Sequence, residues 1–248
     1  MLIAPSFLAA QWRLAPETIV HVGGHHAEEF DDYLSLDWGS RGVLWVEAME
    51  DASAVIRERI KGRGEQRVVT AVVWSESGAR VDFHETSNGQ SSSVLDLHDH
   101  SLHYPDIVVT RSQERVTSTL EELIDWQAMP QIGLLNLDIQ GAELHALKGL
   151  GDKIKRVQAI YSEVNVEELY AGCPLLADLD QWLSDRGFTR LALELTPQGW
   201  GDGFWLRNDC LPRTWRWTLF QEEAAHWLGV QKIKVAGKLQ CARRSSQS

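Results

Sequence analysis

Residues 18–30 read TIVHVGGHHAEEF. The first five, Thr18–Val22, are rich in β-branched residues and have strand length. Gly23 and Gly24 then break the strand, and a helical pattern runs over Ala27–Leu36. Strand, tight glycine turn and helix make the outline of a nucleotide-binding turn. Glycine lets backbone approach a ligand closely, and a helix start leaves N–H groups unpaired. A metal reading would use His21, His25 and His26. One lies in the strand and two are adjacent, so they point apart, and no metal is expected.

Outward from this turn, strand-length apolar runs alternate with helical patterns. Strands are expected at Thr18–Val22, Val43–Glu47, Arg67–Trp74, Gly133–Asp138 and Val157–Glu163. Helices are expected at Ala27–Leu36, Ala52–Lys61, Thr119–Gln127, Ala142–Leu150 and Leu175–Arg186. This rhythm predicts an α/β fold: a mostly parallel sheet with helices on both faces. Two more strands, near Thr189–Thr196 and Gly203–Arg207, are separated only by 197–202. That is too short for a crossover, so they form an antiparallel edge hairpin.

The domain is expected over 18–207, after an N-terminal extension, 1–17. Within it, 75–117 breaks the rhythm as a hairpin (Ala79–His84) and a lid-like polar loop, TSNGQSSSVLDLHDHSLHYPD. The stretch 208–248 is Trp-rich, with a helix near Thr218–Leu228, and is a candidate surface for homo-oligomerisation.

The 248 residues carry 35 acidic against 24 basic side chains, a net charge of −11. That excludes nonspecific nucleic-acid binding, which needs a basic face. Three widely spaced cysteines support neither a zinc ribbon nor a disulfide framework, and a reducing cytoplasm is the default. No apolar run is long enough for a membrane span.

Glu47 stands 24 residues past Gly23 at a strand's carboxyl end. An acid there accepts hydrogen bonds from both ribose hydroxyls of a dinucleotide or an adenosyl cofactor. Glu28 and Glu29 weigh against a pyrophosphate, which they would repel. They suit a ligand carrying an ammonium and a sulfonium, although acids also favour helix starts without any ligand.

The pieces HVGGHHAEE, VLWVEAME, NGQSSSVLDL, RVTSTLEELI, LDIQGAELHALKGL, YSEVNVEELYAGC and GWGDGFWL follow one another over about Thr18–Leu206. In them the chain resembles the FkbM-type S-adenosylmethionine-dependent methyltransferases. The resemblance implies a Rossmann-like class I methyltransferase fold, seven-stranded with the last strand antiparallel. It implies S-adenosylmethionine as cofactor, bound by His21, Gly23, Gly24, His25, Glu47, Ala48, Ala71, Val72, Ser92 and Asp138. The chain departs from the family at His21, where an acid is usual, and at Ala27, where a third glycine is usual.

Asp138, at the end of the fourth strand, is the leading site acid; its other reading is a helix cap. Glu163 ends the fifth strand and is read equally as a catalytic group or a plain strand-end acid. His100, in HDHSLH, is a candidate general base from the loop, with a solvated loop as the alternative. Gln140, Glu143, Tyr170 and His103 are candidate acceptor contacts, against helix-dipole, packing and loop roles. The expected reaction is O-methylation of a hydroxyl on a small molecule or glycan. A nicotinamide-dependent oxidoreductase and an inactive binding module are the alternatives.

Overall fold

The structure is a computed structural model that describes residues 1–212. The chain divides into two units, Met1–Cys210 and Leu211–Ser248, and every element named here belongs to the first. The helix expected near Thr218–Leu228, and with it the candidate self-association surface, lies outside the described residues.

Seven strands form the main sheet: β1 (Thr18–Val22), β2 (Gly42–Glu47), β3 (Gln66–Thr70), β7 (Ile132–Leu137), β8 (Val157–Asn165), β9 (Phe188–Leu195) and β10 (Trp200–Arg207). Their order is β3-β2-β1-β7-β8-β10-β9. The pairings of β1, β2, β3, β7 and β8 are parallel, and β10 runs antiparallel between β8 and β9. The expected edge hairpin is therefore present, with β9 outermost. β1, β2 and β7 are buried along their whole length, as strands covered on both faces must be.

The two faces differ. On one, Val20, Val22, Leu44, Val46, Leu135, Leu137 and Ile160 join Leu144, Leu147 and Leu150 in an aliphatic core. On the other, the register sets Trp45, His21, Asn136 and Tyr161 in one row across four strands. Helix α2 (Phe30–Ser35) adds Tyr33 to that row, and its hydroxyl bonds His21 and Asn136 at 3.2 and 3.0 Å.

Several elements depart from expectation. Helix α2 begins at Phe30, not Ala27, because His25 and Ala27 stand at φ 40° and 54° and break any helix through them. The run 67–74 splits at Ala71. Beyond it, β4 (Val72–Val73) leaves the main sheet and pairs with β6 (Val109–Ser118). Strand β6 also pairs antiparallel with β5 (Arg80–Thr86), so the hairpin expected within 79–84 spans a much longer loop. Most of β6 is exposed, which removes the apolar alternation that marks a strand. Helix α5 is one turn, Leu120–Leu123; after it the Asp125 carboxylate accepts from the Gln127 and Ala128 amides and folds the chain into a turn.

The remaining helices are α1 (Pro5–Trp12), α3 (Glu50–Arg59), α4 (His100–His103), α6 (Glu143–Lys148) and α7 (Leu176–Ser184). α1, in the expected extension, starts with proline in its first turn and buries Leu8 and Trp12. Among the described residues no helix is long and apolar enough to cross a membrane.

Gly23 sits at φ 81°, and a Cβ there would stand 1.7 Å from the Asp138 carbonyl oxygen. Gly62 has a similar φ of 71° with nothing within 4 Å of the same point. Gly62→Ala should therefore cost only the left-handed penalty, roughly 1–2 kcal/mol, a few degrees of melting temperature. Gly23→Ala adds a backbone collision and should lose several times more, or fail to fold. Equal melting temperatures for the two variants would contradict this packing.

Candidate functional site

The order of strands reverses between β1 and β7, and a crevice opens beyond their carboxyl ends. The ladder continues into it: Gly23 N donates to Val46 O at 2.9 Å, and Asp138 N donates to Val22 O at 2.9 Å. Glu47 is buried at the tip of β2. Its Oε2 accepts from His25 N and its Oε1 from Met49 N, both at 2.8 Å. Burial pushes its carboxyl above the usual range, against the pull of these amides.

Beside Glu47 lies a narrow cavity of about 60 Å³. Ala48, Ala71, Val72, Phe83 and Ser92 wall it, together with Gly23, His25 and Asp138. Next to it is a larger cavity of about 440 Å³. Gly23, His25, Gln90, Asp138 and Gln140 border both.

The wall of the larger cavity follows from register. Glu163 of β8 faces Asp202 of β10 directly. Asp138, one residue past β7, continues the β7–β8 pairing toward Glu163. Side chains alternate along a strand, so these three acids share the face of Asn136 and Tyr161, two residues further along. All three line the cavity. Gln140 Nε2 bridges Asp138 Oδ1 at 2.6 Å and Glu163 Oε2 at 2.9 Å, and the Tyr170 hydroxyl donates to Gln140 Oε1 at 2.5 Å. The Tyr161 hydroxyl and the Leu2 amide donate to Asp202. Desolvation at the cavity floor, with the charges of Asp202 and Glu29, raises the Asp138 carboxyl to about 6 despite the Gln140 bond. Burial and the charges of Asp138, Glu143 and Asp202 push Glu163 well above its ordinary value.

The loop between β5 and β6 forms the opposite wall through Asn88, Gln90, Ser91, His100, Tyr104 and Ile107. It is stitched down by backbone bonds: His98 N and His100 N to Leu169 O, Asp99 N to Glu168 O, and Ala171 N to Asp96 O. His100 is 4% exposed; its Nε2 lies 3.2 Å from Ser91 Oγ, and its buried Nδ1 has no partner among the described residues. Burial, and then His103, push its pKa down, which favours the neutral ring. Trp200 Nε1 donates to the Tyr104 hydroxyl at 2.9 Å and closes the wall.

Of the expected residues, Gly23, His25, Glu47, Ala48, Ala71, Val72, Ser92, Asp138, Gln140, Glu163, Tyr170 and His100 border one cavity or both. Four do not. His21 is 2% exposed and stacks on Trp45 at 4.8 Å, because it lies two residues below the strand tip, covered by Trp45 and Tyr33. Gly24 packs below the turn, where a Cβ would meet Ile56 and Trp45. Glu143 is buried and accepts from the Ile139 and Gly141 amides at 3.0 and 3.1 Å, so it holds the turn rather than a ligand. His103 faces outward, 3.9 Å from Glu167.

Sequence reading did not single out Asp202, Trp200 and Tyr104 as site residues. Asp202 was assigned to the hairpin turn, but β10 starts at Trp200; the alternation of GDGFW places Asp202 and Phe204 on one face and was the available signal. Among the described residues, His25, His26 and Glu28 bring metal-ligand atoms within 4.8 Å of one another. This set takes Glu28 in place of His21, and its two histidines, expected to point apart, stack with ring centroids 3.8 Å from each other.

The sequence matches the methyltransferase FkbM domain family over residues 21–190, more than half of the chain. It is 27% identical over 137 residues to the 2-O-methyltransferase NoeI of Sinorhizobium fredii (strain NBRC 101917 / NGR234), covering 52% of this chain and 56% of that protein. The match thus spans little more than half the length of that relative. Among solved structures, the methyltransferase FkbM from Methylobacillus flagellatus KT is similar with a TM-score of 0.51 and 15% identity, over 76% of this chain and 43% of that one. A ribosomal protein L11 methylase from Lactobacillus delbrueckii subsp. bulgaricus matches at a TM-score of 0.45 and 10% identity, over 78% and 70%. The likeness to the solved FkbM protein concerns the fold, and it agrees with the seven-stranded sheet and its single antiparallel strand. With the sequence match over the crevice and its strands, this establishes that the chain belongs to the FkbM methyltransferase family.

Proposed function

We propose that the chain transfers a methyl group from S-adenosylmethionine to a hydroxyl of a small molecule or glycan. One observation carries the reading: two cavities of different character meet at Gly23, His25, Gln90, Asp138 and Gln140. The narrow one presents Glu47 and apolar side chains to part of a nucleoside and the wider one has room for an acceptor, so a group passing between them crosses at Asp138. The hydroxyl as acceptor is supported by the relative whose name is 2-O-methyltransferase.

The narrow cavity fits the cofactor chemically. Beyond its two backbone bonds, each oxygen of Glu47 keeps a lone pair for a ribose hydroxyl. Ala71, Val72 and Phe83 offer an apolar slot for a flat base. The amino-acid end has Gly23 on the cavity wall beside it, with Asp138, Glu28 and Glu29 nearby as counter-charges. When bound, the cofactor supplies an activated methyl on a sulfonium, and the protein supplies alignment.

In this reading Asp138 accepts the hydroxyl proton, and Gln140 fixes its carboxylate by the 2.6 Å bond. Tyr170 orients Gln140 in turn. The loop pinned to 168–171 shields the junction from water. His100 borders the acceptor cavity.

Calorimetry separates this reading from an oxidoreductase. S-adenosylhomocysteine should bind and NAD(P) should not; the reverse would overturn it. Glu47→Gln should weaken S-adenosylhomocysteine about tenfold or more, the scale of a lost charge-assisted bond. Unchanged affinity would remove Glu47 from the cofactor site.

The Asp138 carboxyl, raised to about 6, must be ionised to take a proton. Turnover per bound acceptor should fall as pH drops through about 6 and level off above 7. Asp138→Asn should lose that limb and about 100-fold or more in rate. A wild-type pH profile flat between 5 and 7 would show that another group accepts the proton.

A further inference from the structure

Gln140 bonds Asp138 and Glu163 at once, from a backbone at φ 56°. A long side chain rarely adopts that left-handed conformation, so its surroundings must hold it there. The peptide unit between Gln140 and Gly141 has both of its polar groups committed. Its N–H donates to Glu143 Oε1 at 3.1 Å, and its carbonyl accepts from Ser93 Oγ at 2.8 Å. Turning this peptide over would break both bonds.

Ser93 is itself fixed. It is 2% exposed, and its backbone exchanges two hydrogen bonds with His84 of β5, at 2.8 and 3.1 Å. Its hydroxyl oxygen accepts from Leu95 N at 3.0 Å, which leaves the proton for the Gln140 carbonyl. Ser93 also borders the narrow cavity beside Glu47.

Resting on the methyltransferase reading, we propose that Ser93 is a positioning residue for the transfer: by holding the Gln140 carbonyl it keeps the Gln140 side chain aimed at the Asp138 carboxylate. Ser93 acts through Gln140 and not on the acceptor. It ties the wall of the cofactor cavity to the proton acceptor through one backbone carbonyl. The Gln140 bond favours the ionised form of Asp138 and opposes the effect of burial. A Gln140 released by loss of the Ser93 hydroxyl donates less well, so the Asp138 carboxyl rises further. The other charges that act on Asp138 come from Glu163, Asp202, Glu29, Glu143 and the Met1 amino group. A Ser93 variant keeps all of them, so the shift reads the Gln140 bond.

The test uses the full chain and needs no acceptor. Binding of S-adenosylhomocysteine is measured first by calorimetry. The Asp138 carboxyl is then titrated by carbon NMR, its signal assigned by its loss in Asp138→Asn. In Ser93→Ala the midpoint should move up by about half a pH unit or more, the scale of a weakened hydrogen bond to a charged group. Ser93→Cys, close in size with a weaker donor, should move it the same way by less, and it reads the bond where the alanine variant does not fold. Gln140→Met should itself raise the midpoint, and Ser93→Ala added to it should raise it no further. If S-adenosylhomocysteine binds but the midpoint stays put in the folded Ser93 variants, this inference falls and the methyltransferase reading stands. A Ser93 shift that persists in the Gln140→Met background also overturns it. Failure of S-adenosylhomocysteine itself to bind brings down both.

Discussion

The architecture of the site depends on how closely two strand ends approach. β1 and β7 lie side by side, yet the chain leaves them toward opposite halves of the sheet. The Asp138 carbonyl rests where a side chain on residue 23 would begin. Only glycine, at a positive φ, lets the backbone turn there without lifting β7 away. Everything at the crevice follows from that contact. It sets Asp138 at the junction of the two cavities and lets Glu47 reach across to the His25 amide. The carboxylate of Glu47 then fixes the cradle from the β2 side, using one lone pair on each oxygen for the protein and leaving the others outward.

A second constraint comes from register. Three neighbouring strands each carry an acid at the crevice on the same face, and pleating leaves them no freedom to point apart. The protein moderates the repulsion with neutral donors: Gln140 between Asp138 and Glu163, and the Tyr161 hydroxyl and Leu2 amide at Asp202. Neutral donors hold carboxylates in place without cancelling their charge. Burial, with the charges of the row, raises the proton affinity of Asp138 and Glu163.

These constraints explain what was legible in the sequence. The buried strands announced themselves because both faces are covered, so β1, β2, β7 and β8 read as apolar runs. Glu47 and Asp138 could be placed because each directly follows such a run. The arm of β5 and β6 was half hidden, since an exposed strand such as VTRSQERVTS carries no apolar alternation. His21 was misplaced for a different reason. It lies on the same face as the crevice acids but two residues deeper, in the row of Trp45 and Asn136, where packing against Trp45 and Tyr33 covers it. Glu143 and Gly24 were drawn into the site by their motifs, yet each supports the turn from beneath. Asp202 escaped notice because moving a strand start by three residues turns a loop acid into a wall of the cavity.

The wall built from the β5–β6 loop adds the last step. A loop bordering a site gains entropy by remaining free, and holding it down requires bonds elsewhere. Here it is tied at Asp96–His100 to the backbone of 168–171. That segment also carries Tyr170, which bonds Gln140, which in turn bonds Asp138. One short stretch of chain therefore fixes both the cover and the site acid. A shift of the loop would move Tyr170 with it and loosen the carboxylate at the junction of the two cavities. The position of the loop and the orientation of the Asp138 carboxylate are thus coupled through a single side-chain amide.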